Sequence, residues 1–326
     1  MQKAIHLMML ILAFLLAAGC SSQSSGNKET KTANPEKIVV QAPMAPPTAP
    51  LFKMAENSPL KDTKVELVIY KSVEEATTRA VKGEADFTVL PVNVAAKLYN
   101  KDVGISLANV STWGILYLVS VDSAVQDWGD LTGQDLYVGA KGSTPDVLTQ
   151  YLLNKNGLKA GEVHLNYLES PEIAQMMVNG LVKNAVLPEP MVTQVLLNNK
   201  QARTVKDFYS DWQKFEGDSA GLPQAGMVVR NEFAKAYPEA TRDFQQTYAK
   251  ELELTVADPA GAATLVEKNL KMPAPLFIQS MTRTRLKYVS GSGAKADVNT
   301  YLNELLQLSP DMVGGKLPDE KFFLAD

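Results

Sequence analysis

The segment KGSTPD contains the residues of this sequence that are best suited to hold a charged ligand. Gly142 allows the backbone to approach a ligand closely, and Ser143 and Thr144 offer hydroxyl groups. Thr144 as N-cap, Pro145 at the first helical position and Asp146 in the first turn predict the start of a helix. Free amide groups at such a start favour an anion, for example a sulfonate or a carboxylate. A plain helix cap needs the same residue types, so capping and ligand contact are both open.

The segment MAPPTAP near the first predicted strand offers little polarity to a ligand. Thr48 is its only polar side chain, while Met44, Pro46 and Pro47 would form an apolar wall. That wall favours a ligand with an apolar or aromatic part, unless the prolines only shape the start of a helix. Trp113, in STWG, offers an indole that would either stack on a flat ligand or pack in a hinge.

Two further polar residues lie in segments that are rich in proline. Glu189, in LPEP, would accept a hydrogen bond from an amine or ring N–H of a ligand, or from an amide of its own helix. Gln224, in LPQAG, would be a hinge residue or a donor in a cleft. The basic run MTRTRLKY, within a stretch that is predicted to be mostly helical, would be a solvated helix face or a contact for another protein.

Several kinds of chemistry are disfavoured by residues that the sequence lacks. His6 and His164 are the only histidines and Cys20 is the only cysteine, so a histidine-rich zinc site, a disulfide and cysteine catalysis are not expected. His164 lies in a predicted strand, HLNYL, where a structural role is expected. Motifs for dinucleotides, phosphate loops, zinc proteases and serine hydrolases are missing. We therefore expect no cofactor and no metal, and the net charge of −4 argues against nucleic acid as a partner.

Short β-branched runs alternate with amphipathic segments along most of the chain. Strands are predicted at 37–41, 65–70, 86–90, 105–110, 115–121, 135–140, 164–168, 184–187 and 226–230, with mostly helix after 230. Ser72 and Glu75 have the spacing of a capping box. This alternation predicts an α/β fold with mainly parallel sheets flanked by helices.

The strands fall into two series, which predicts two lobes. We expect residues 37–118 with 226–326 to form one lobe and residues 122–222 the other, joined near 119–121 and 223–227. Ligands of open α/β sheets bind beyond the carboxyl ends of strands. The segments at those ends are expected to line one cleft with Met44, Pro46, Pro47, Thr48, Leu90, Asn93, Ser111, Thr112, Trp113, Gly142, Ser143, Thr144, Glu189 and Gln224.

The N-terminal segment MQKAIHLMMLILAFLLAAGC has the pattern of a secretory signal peptide over residues 1–19. Small residues precede Cys20, which resembles the lipidated cysteine of a bacterial lipobox, although the usual leucine is displaced to Leu16. Residues 20–36 are polar and are expected to form a flexible tether. The alternatives are a transmembrane anchor, for which the apolar run is short, and a secreted protein with an incidental cysteine.

Five segments, in this order and spacing, resemble the substrate-binding proteins of ABC importers of the nitrate, taurine and alkanesulfonate type, a group that includes binders of thiamine pyrimidine precursors. They are GEADFTVLPVNVAAKLY, WGILYLVS, LTGQDLYVGAKGSTPDVLTQYLL, NAVLPEPMVTQVL and AGMVVR, and the likeness runs from about 37 to 270. The resemblance implies a two-lobed periplasmic-binding-protein fold of type II, a hinged "Venus flytrap". It also implies that a small anionic or aromatic organic solute is handed to a permease and its ATPase subunit.

These expectations describe a monomeric extracytoplasmic lipoprotein, anchored to a bacterial membrane through Cys20, that is not an enzyme. Two alternatives share the same fold, so the fold does not separate them. One is an enzyme that uses Glu189, the only plausible acid or base of the cleft. The other is a ligand sensor for a membrane signalling partner.

Overall fold

The computed structural model describes residues 34–57, 60 and 63–325. Cys20, the predicted signal peptide and most of the predicted tether lie outside these residues. Among the described helices, none combines the length and the apolar character that crossing a bilayer requires.

Strands and helices alternate through the described residues, as the sequence predicts. The strands are β1 (Lys37–Pro43), β2 (Lys64–Tyr70), β3 (Phe87–Pro91), β4 (Ile105–Gly114), β5 (Leu116–Ser120), β6 (Asp135–Val138), β7 (His164–Tyr167), β8 (Asn184–Pro188), β9 (Arg203–Asp207), β10 (Ala225–Arg230) and β11 (Arg285–Ser290). The helices are α1 (Ala49–Asn57), α2 (Val73–Val81), α3 (Val92–Asn100), α4 (Thr144–Lys155), α5 (Ser170–Val178), α6 (Met191–Asn198), α7 (Phe208–Glu216), α8 (Asn231–Ala236), α9 (Pro238–Ala257), α10 (Ala260–Leu270), α11 (Ala274–Met281) and α12 (Lys295–Leu308).

The strands form two sheets, each of which is the basis of one lobe. The first sheet has the order β11-β4-β10-β3-β1-β2, and the second has the order β7-β6-β8-β5-β9. Most strands of each sheet share one direction, but β10 and β11 in the first and β5 in the second run antiparallel to their neighbours. The α/β two-lobed class is therefore confirmed, with sheets that are mixed. We call the parts of the chain built on these sheets the first and the second lobe.

The chain passes from the first sheet to the second at Ile115, between the end of β4 and the start of β5. This is earlier than the predicted hinge at 119–121, because Leu116 already pairs with Pro188 of β8 in the second sheet. The chain returns through residues 217–224 to β10. The residue limits of the two lobes stay a prediction.

The C-terminal helix α12 packs against the second lobe although it follows elements of the first. The ring of Tyr301 in α12 lies 6.0 Å from that of Trp212 in α7, which in turn lies 5.0 Å from the ring of Tyr151 in α4. All three side chains are fully buried. Burial of these large rings joins the C-terminal part of the chain to helices of the second lobe.

Two predicted helix starts differ in detail from the structure. Ser72 Oγ accepts from Glu75 N at 3.2 Å, but Glu75 Oε2 accepts from Lys71 N at 3.0 Å instead of completing a capping box on Ser72. Helix α4 has Ser143 rather than Thr144 as N-cap, so Thr144 is its first residue. The shift leaves Thr144 free to point its hydroxyl towards the other lobe.

Two segments differ in kind of structure from what the sequence predicts. STWG lies between the predicted strands 105–110 and 115–121, which predicts a turn, but it forms the end of β4, which is buried and paired on both sides. The run MTRTRLKY was expected to be helical, but α11 ends at Met281 and β11 begins at Arg285. Pairing with β4 explains this strand, and such pairing leaves no periodic signal in a short basic segment.

Candidate ligand-binding site

The two lobes meet directly between two of the predicted site residues. Asn93 lies in the first turn of α3, just beyond the end of β3, and Thr144 begins α4 in the second lobe. Thr144 Oγ1 donates to Asn93 Oδ1 at 3.1 Å. The structure therefore brings these two residues from different lobes to one place between the lobes.

Gln224 and Thr112 lie beside this contact, next to the two connections between the lobes. Gln224 N donates to Thr112 O at 2.9 Å, and Val92 N donates to Gln224 O at 3.1 Å. The side-chain oxygen of Gln224 accepts from Ile115 N at 2.7 Å. Gln224 Nε2 and Thr112 Oγ1 are buried and have no hydrogen-bond partner in the structure. The side-chain oxygen of Gln224 thus binds the backbone at Ile115, where the chain passes between the lobes, and its side-chain NH2 group has no acceptor.

At the start of α4, a carboxylate of the protein takes one of the amide groups of the segment KGSTPD. Asp146 is buried, and its Oδ2 accepts from Gly142 N at 2.7 Å. Its Oδ1 accepts from Gln150 Nε2 at 2.8 Å and from Tyr167 OH at 3.0 Å. Burial raises the pKa of Tyr167 to about 12, and the negative charge of Asp146 acts in the same direction. The phenol of Tyr167 therefore stays protonated and remains a donor.

One hydroxyl near this carboxylate is buried without a hydrogen-bond partner. Ser143 Oγ is buried without a partner. Since an unpaired buried polar group costs free energy, a ligand that bonds to it would be favoured. Gly142 itself is exposed, and Asp146 occupies its amide. At this helix start the amide of Gly142 and the hydroxyl of Thr144 therefore have partners within the protein, whereas the hydroxyl of Ser143 has none.

The segment with the two prolines takes the shape of a helix start. Pro46 and Pro47 are buried and open a short 3-10 helix that leads into α1. Thr48 Oγ1 donates to Pro43 O at 2.6 Å, so the one hydroxyl of this segment fixes its own turn. Met44 is 49% exposed. The geometry agrees with the local role of the prolines, and only Met44 offers a large free apolar surface.

Trp113 packs at the crossing between the lobes. Its Nε1 donates to Lys287 O of β11 at 2.8 Å. Gly221 lies against the indole, since an added Cβ there would come within 2.5 Å of Trp113 Cζ3. These contacts correspond to the hinge alternative for Trp113. Leu90 and Ser111 are buried within β3 and β4.

Glu189 is fully engaged by other groups of the protein. Its side chain is completely buried between β8 and α6, where Oε1 accepts from Arg283 Nε at 2.6 Å and Oε2 accepts from Thr193 N at 3.2 Å. The second bond is the predicted bond to its own helix. Burial raises the pKa of Glu189, while the bonds to Arg283 and Thr193 act in the opposite direction. A carboxylate that is held in this way is poorly available as an acid or a base.

Sequence reasoning missed a set of charged residues that lies beside Glu189. Arg285 at the start of β11 binds both carboxylate oxygens of Asp207, at 3.2 and 2.5 Å. Tyr117 OH donates to Arg283 O at 2.7 Å, and Arg285 Nη1 lies 3.3 Å from the same hydroxyl. The basic run MTRTRLKY was the only signal for these arginines, and nothing in it indicated a carboxylate partner. Within the described residues, no group of acidic, histidine or cysteine side chains has the arrangement of a metal site.

Comparison with known proteins agrees with this architecture. The model of the NMT1-like family matches residues 46–267. A solved structure of an ABC transporter protein from Parabacteroides distasonis is 28% identical, with a TM-score of 0.75, over 89% of this chain and 99% of that one. No curated protein sequence matches the chain.

Two more distant structures show the same fold. The periplasmic aliphatic sulphonate-binding protein of Escherichia coli is 17% identical, with a TM-score of 0.69, over 90% of this chain and 95% of that one. The periplasmic nitrate-binding protein of Synechocystis PCC 6803 is 13% identical, with a TM-score of 0.64, over 85% and 84% of the two chains. The fold is that of type II periplasmic binding proteins.

Proposed function

Because this chain belongs to the NMT1-like family, we propose that it is the solute-binding protein of an ABC importer. It captures a small organic solute between its lobes and delivers it to a membrane permease that an ATPase subunit drives. The observation that carries this proposal is the junction of the two lobes at Thr144 and Asn93, with buried unpartnered polar atoms of Thr112, Ser143 and Gln224 in the segments that flank it. The protein from P. distasonis, described as an ABC transporter, and the sulphonate-binding and nitrate-binding proteins support it.

The solute in this proposal is anionic or aromatic and binds through hydroxyl and amide groups. Ser143 and Thr144 hold its polar end, and Gln224 Nε2 is a further donor. Asp146 already takes the amide of Gly142, so the polar end bonds to side-chain hydroxyls rather than to that amide. Met44 contributes the exposed apolar surface on the side of the first lobe.

The protein acts outside the cytoplasm and is attached to the membrane by a lipid on Cys20. The signal-peptide pattern, the small residues before Cys20 and the polar segment after it support this attachment. More than one acyl chain gives a firm anchor, since each buried methylene contributes about 0.8 kcal/mol. The chain works as a monomer.

The enzyme alternative is less well supported by the geometry. Glu189, its only candidate acid or base, is bound by Arg283 and by the helix that follows it. A sensor of the same fold would differ in its membrane partner and not in its cleft, so the binding chemistry proposed above applies to it as well.

The decisive experiment is to purify the protein without refolding and to identify any released solute by mass spectrometry. Titration calorimetry with that solute then measures binding, and small-angle scattering measures closure. We expect a smaller radius of gyration at saturation, because the closed form makes more contacts with the solute than the open form. An unchanged scattering profile at saturation would contradict closure, and conversion of the solute into a product would favour the enzyme alternative.

A further inference from the structure

Two arginines of the first lobe reach across to carboxylates of the second. Arg283 lies between α11 and β11, Arg285 is the first residue of β11, and β11 pairs with β4 in the first sheet. Their partners are Glu189, which follows β8, and Asp207, which ends β9, both in the second lobe. Each ion pair therefore joins the two lobes.

The Arg283 contact is buried and has several hydrogen bonds. Its Nε donates to Glu189 Oε1 at 2.6 Å, and its Nη2 donates to Thr193 Oγ1 at 2.5 Å. The Glu189 side chain is fully buried, whereas that of Arg283 is 23% exposed. A buried carboxylate needs such a partner, because leaving it unpaired in the interior is strongly unfavourable.

The Arg285 contact has two hydrogen bonds, a pattern that suits a guanidinium group and a carboxylate. Its Nη1 and Nη2 donate to the two oxygens of Asp207, and the guanidinium lies 4.7 Å from the centre of the Tyr209 ring. Gly114, at the end of β4, makes room for this arrangement. An added Cβ there would lie 3.0 Å from Tyr209 Cβ and 3.3 Å from Arg285 Cδ.

Tyr117 joins the two contacts into one network. Its hydroxyl donates to Arg283 O and lies within hydrogen-bond distance of Arg285 Nη1. Burial and the charge of Asp207 raise the pKa of Tyr117 to about 12, so the hydroxyl stays protonated at neutral pH. Every bond of this network joins two groups of the protein, and none of them needs a solute.

We propose that the ion pairs of Arg283 with Glu189 and of Arg285 with Asp207 favour the closed arrangement of the lobes. We call these two ion pairs the inter-lobe latch. The proposal rests on the proposed function, since opening and closing around a solute is what makes such a latch useful. Because the latch consists of protein groups alone, it shifts the balance between open and closed forms before any solute binds. A solute that binds the closed form then binds more tightly, by the factor by which the latch raises the fraction of closed protein.

The test measures the distance between the lobes in protein to which no solute is added. Cysteines replace the exposed Val81 in the first lobe and Leu181 in the second, in the full chain with Cys20→Ser, and carry spin labels. Double electron–electron resonance then gives the populations of short and long distances. We expect Arg283→Gln and Arg285→Gln each to lower the ratio of closed to open protein roughly tenfold. This factor corresponds to the free energy of one charge-assisted hydrogen bond.

The control variant is Lys287→Gln, which removes a positive charge from an exposed position of the same strand. It should leave the distances unchanged. Glu189→Gln and Asp207→Asn test the receiving side and keep the bonds that these side chains accept from Thr193 N and Tyr209 N. Circular dichroism checks that each variant is folded. If an arginine variant does not fold, Glu189→Gln or Asp207→Asn tests the same ion pair in its place.

Arg285→Gln combined with Asp207→Asn should open the lobes no more than either change alone, because both remove the same pair. Additive effects of the two changes would overturn the pairing. Distances in all four single variants equal to those of the parent and of Lys287→Gln would overturn the latch. Since no solute is used, this result would contradict the latch without contradicting the proposal that the protein binds a solute. Conversely, failure to find a solute would not change what these distances say about the latch.

Discussion

The side-chain oxygen of Gln224 accepts a hydrogen bond from the backbone N–H of Ile115 at 2.7 Å. Ile115 is the single residue between β4 and β5, and its carbonyl accepts from Glu189 N at 2.9 Å. Gln224 immediately precedes β10, on the return of the chain to the first lobe. One side chain therefore ties the two connections between the lobes to each other.

Replacing Gln224 by Met should destabilise the protein. The change keeps the length of the side chain but leaves the Ile115 N–H without its acceptor, which costs about 1–3 kcal/mol when the group is buried. Urea unfolding followed by circular dichroism measures the loss. Gln201→Met, at an exposed position, is the matched control, and equal stability of the two variants would show that the Gln224 bond contributes nothing.

Gly221→Ala should also destabilise the protein, because the new Cβ would lie 2.5 Å from Trp113 Cζ3 and 2.7 Å from Asp297 Oδ2. Overpacking of this kind costs about 1–3 kcal/mol. Combining it with Trp113→Leu should cost less than the sum of the two single changes, since the smaller side chain leaves space for the methyl group. Gly129→Ala, where nothing lies within 4 Å of the added Cβ, is the control in the same thermal unfolding series. Strict additivity would mean that the clash with Asp297 Oδ2, and not the clash with the indole, causes the loss of stability.

Thr144→Val should weaken binding of the solute that is identified from the purified protein. Loss of one hydroxyl bond to a charged group costs about 1.5–3 kcal/mol, which is roughly a ten- to hundredfold loss of affinity. Calorimetry measures the affinity, with circular dichroism to verify folding. Thr132→Val changes an exposed threonine of the second lobe and should bind normally. Normal binding by folded Thr144→Val would remove this hydroxyl from the site.

Cys20→Ser should move the protein from the membrane fraction to the soluble fraction, or leave it as an uncleaved precursor. The reason is that the thiol is the proposed point of lipid attachment. Fractionation of cells and the mass of the intact protein measure both outcomes. Ser21→Ala keeps the thiol and should stay with the membrane. Identical fractionation and mass of the Cys20→Ser variant and the parent would contradict lipidation at this residue.

The sequence by itself determined most of the secondary structure and the fold class. Strands such as β1 and β2 are short β-branched runs, and the start of α4 is marked by Ser143, Thr144 and Pro145. These signals are local, because backbone preference and helix capping depend on residues that are neighbours in the chain. They placed the helix start within one residue and indicated which segments follow strand ends.

Only the tertiary structure decided which of these residues contact one another. Arg283 and Glu189 are 94 positions apart, and Arg285 and Asp207 are 78 positions apart. No local pattern relates such positions, so the sequence predicts a helix face or a permease contact for the basic run, and a ligand contact or a bond to its own helix for Glu189. The pairing of β11 with β4 sets the arginines facing the second lobe, and the burial of Glu189 there makes a positively charged partner necessary.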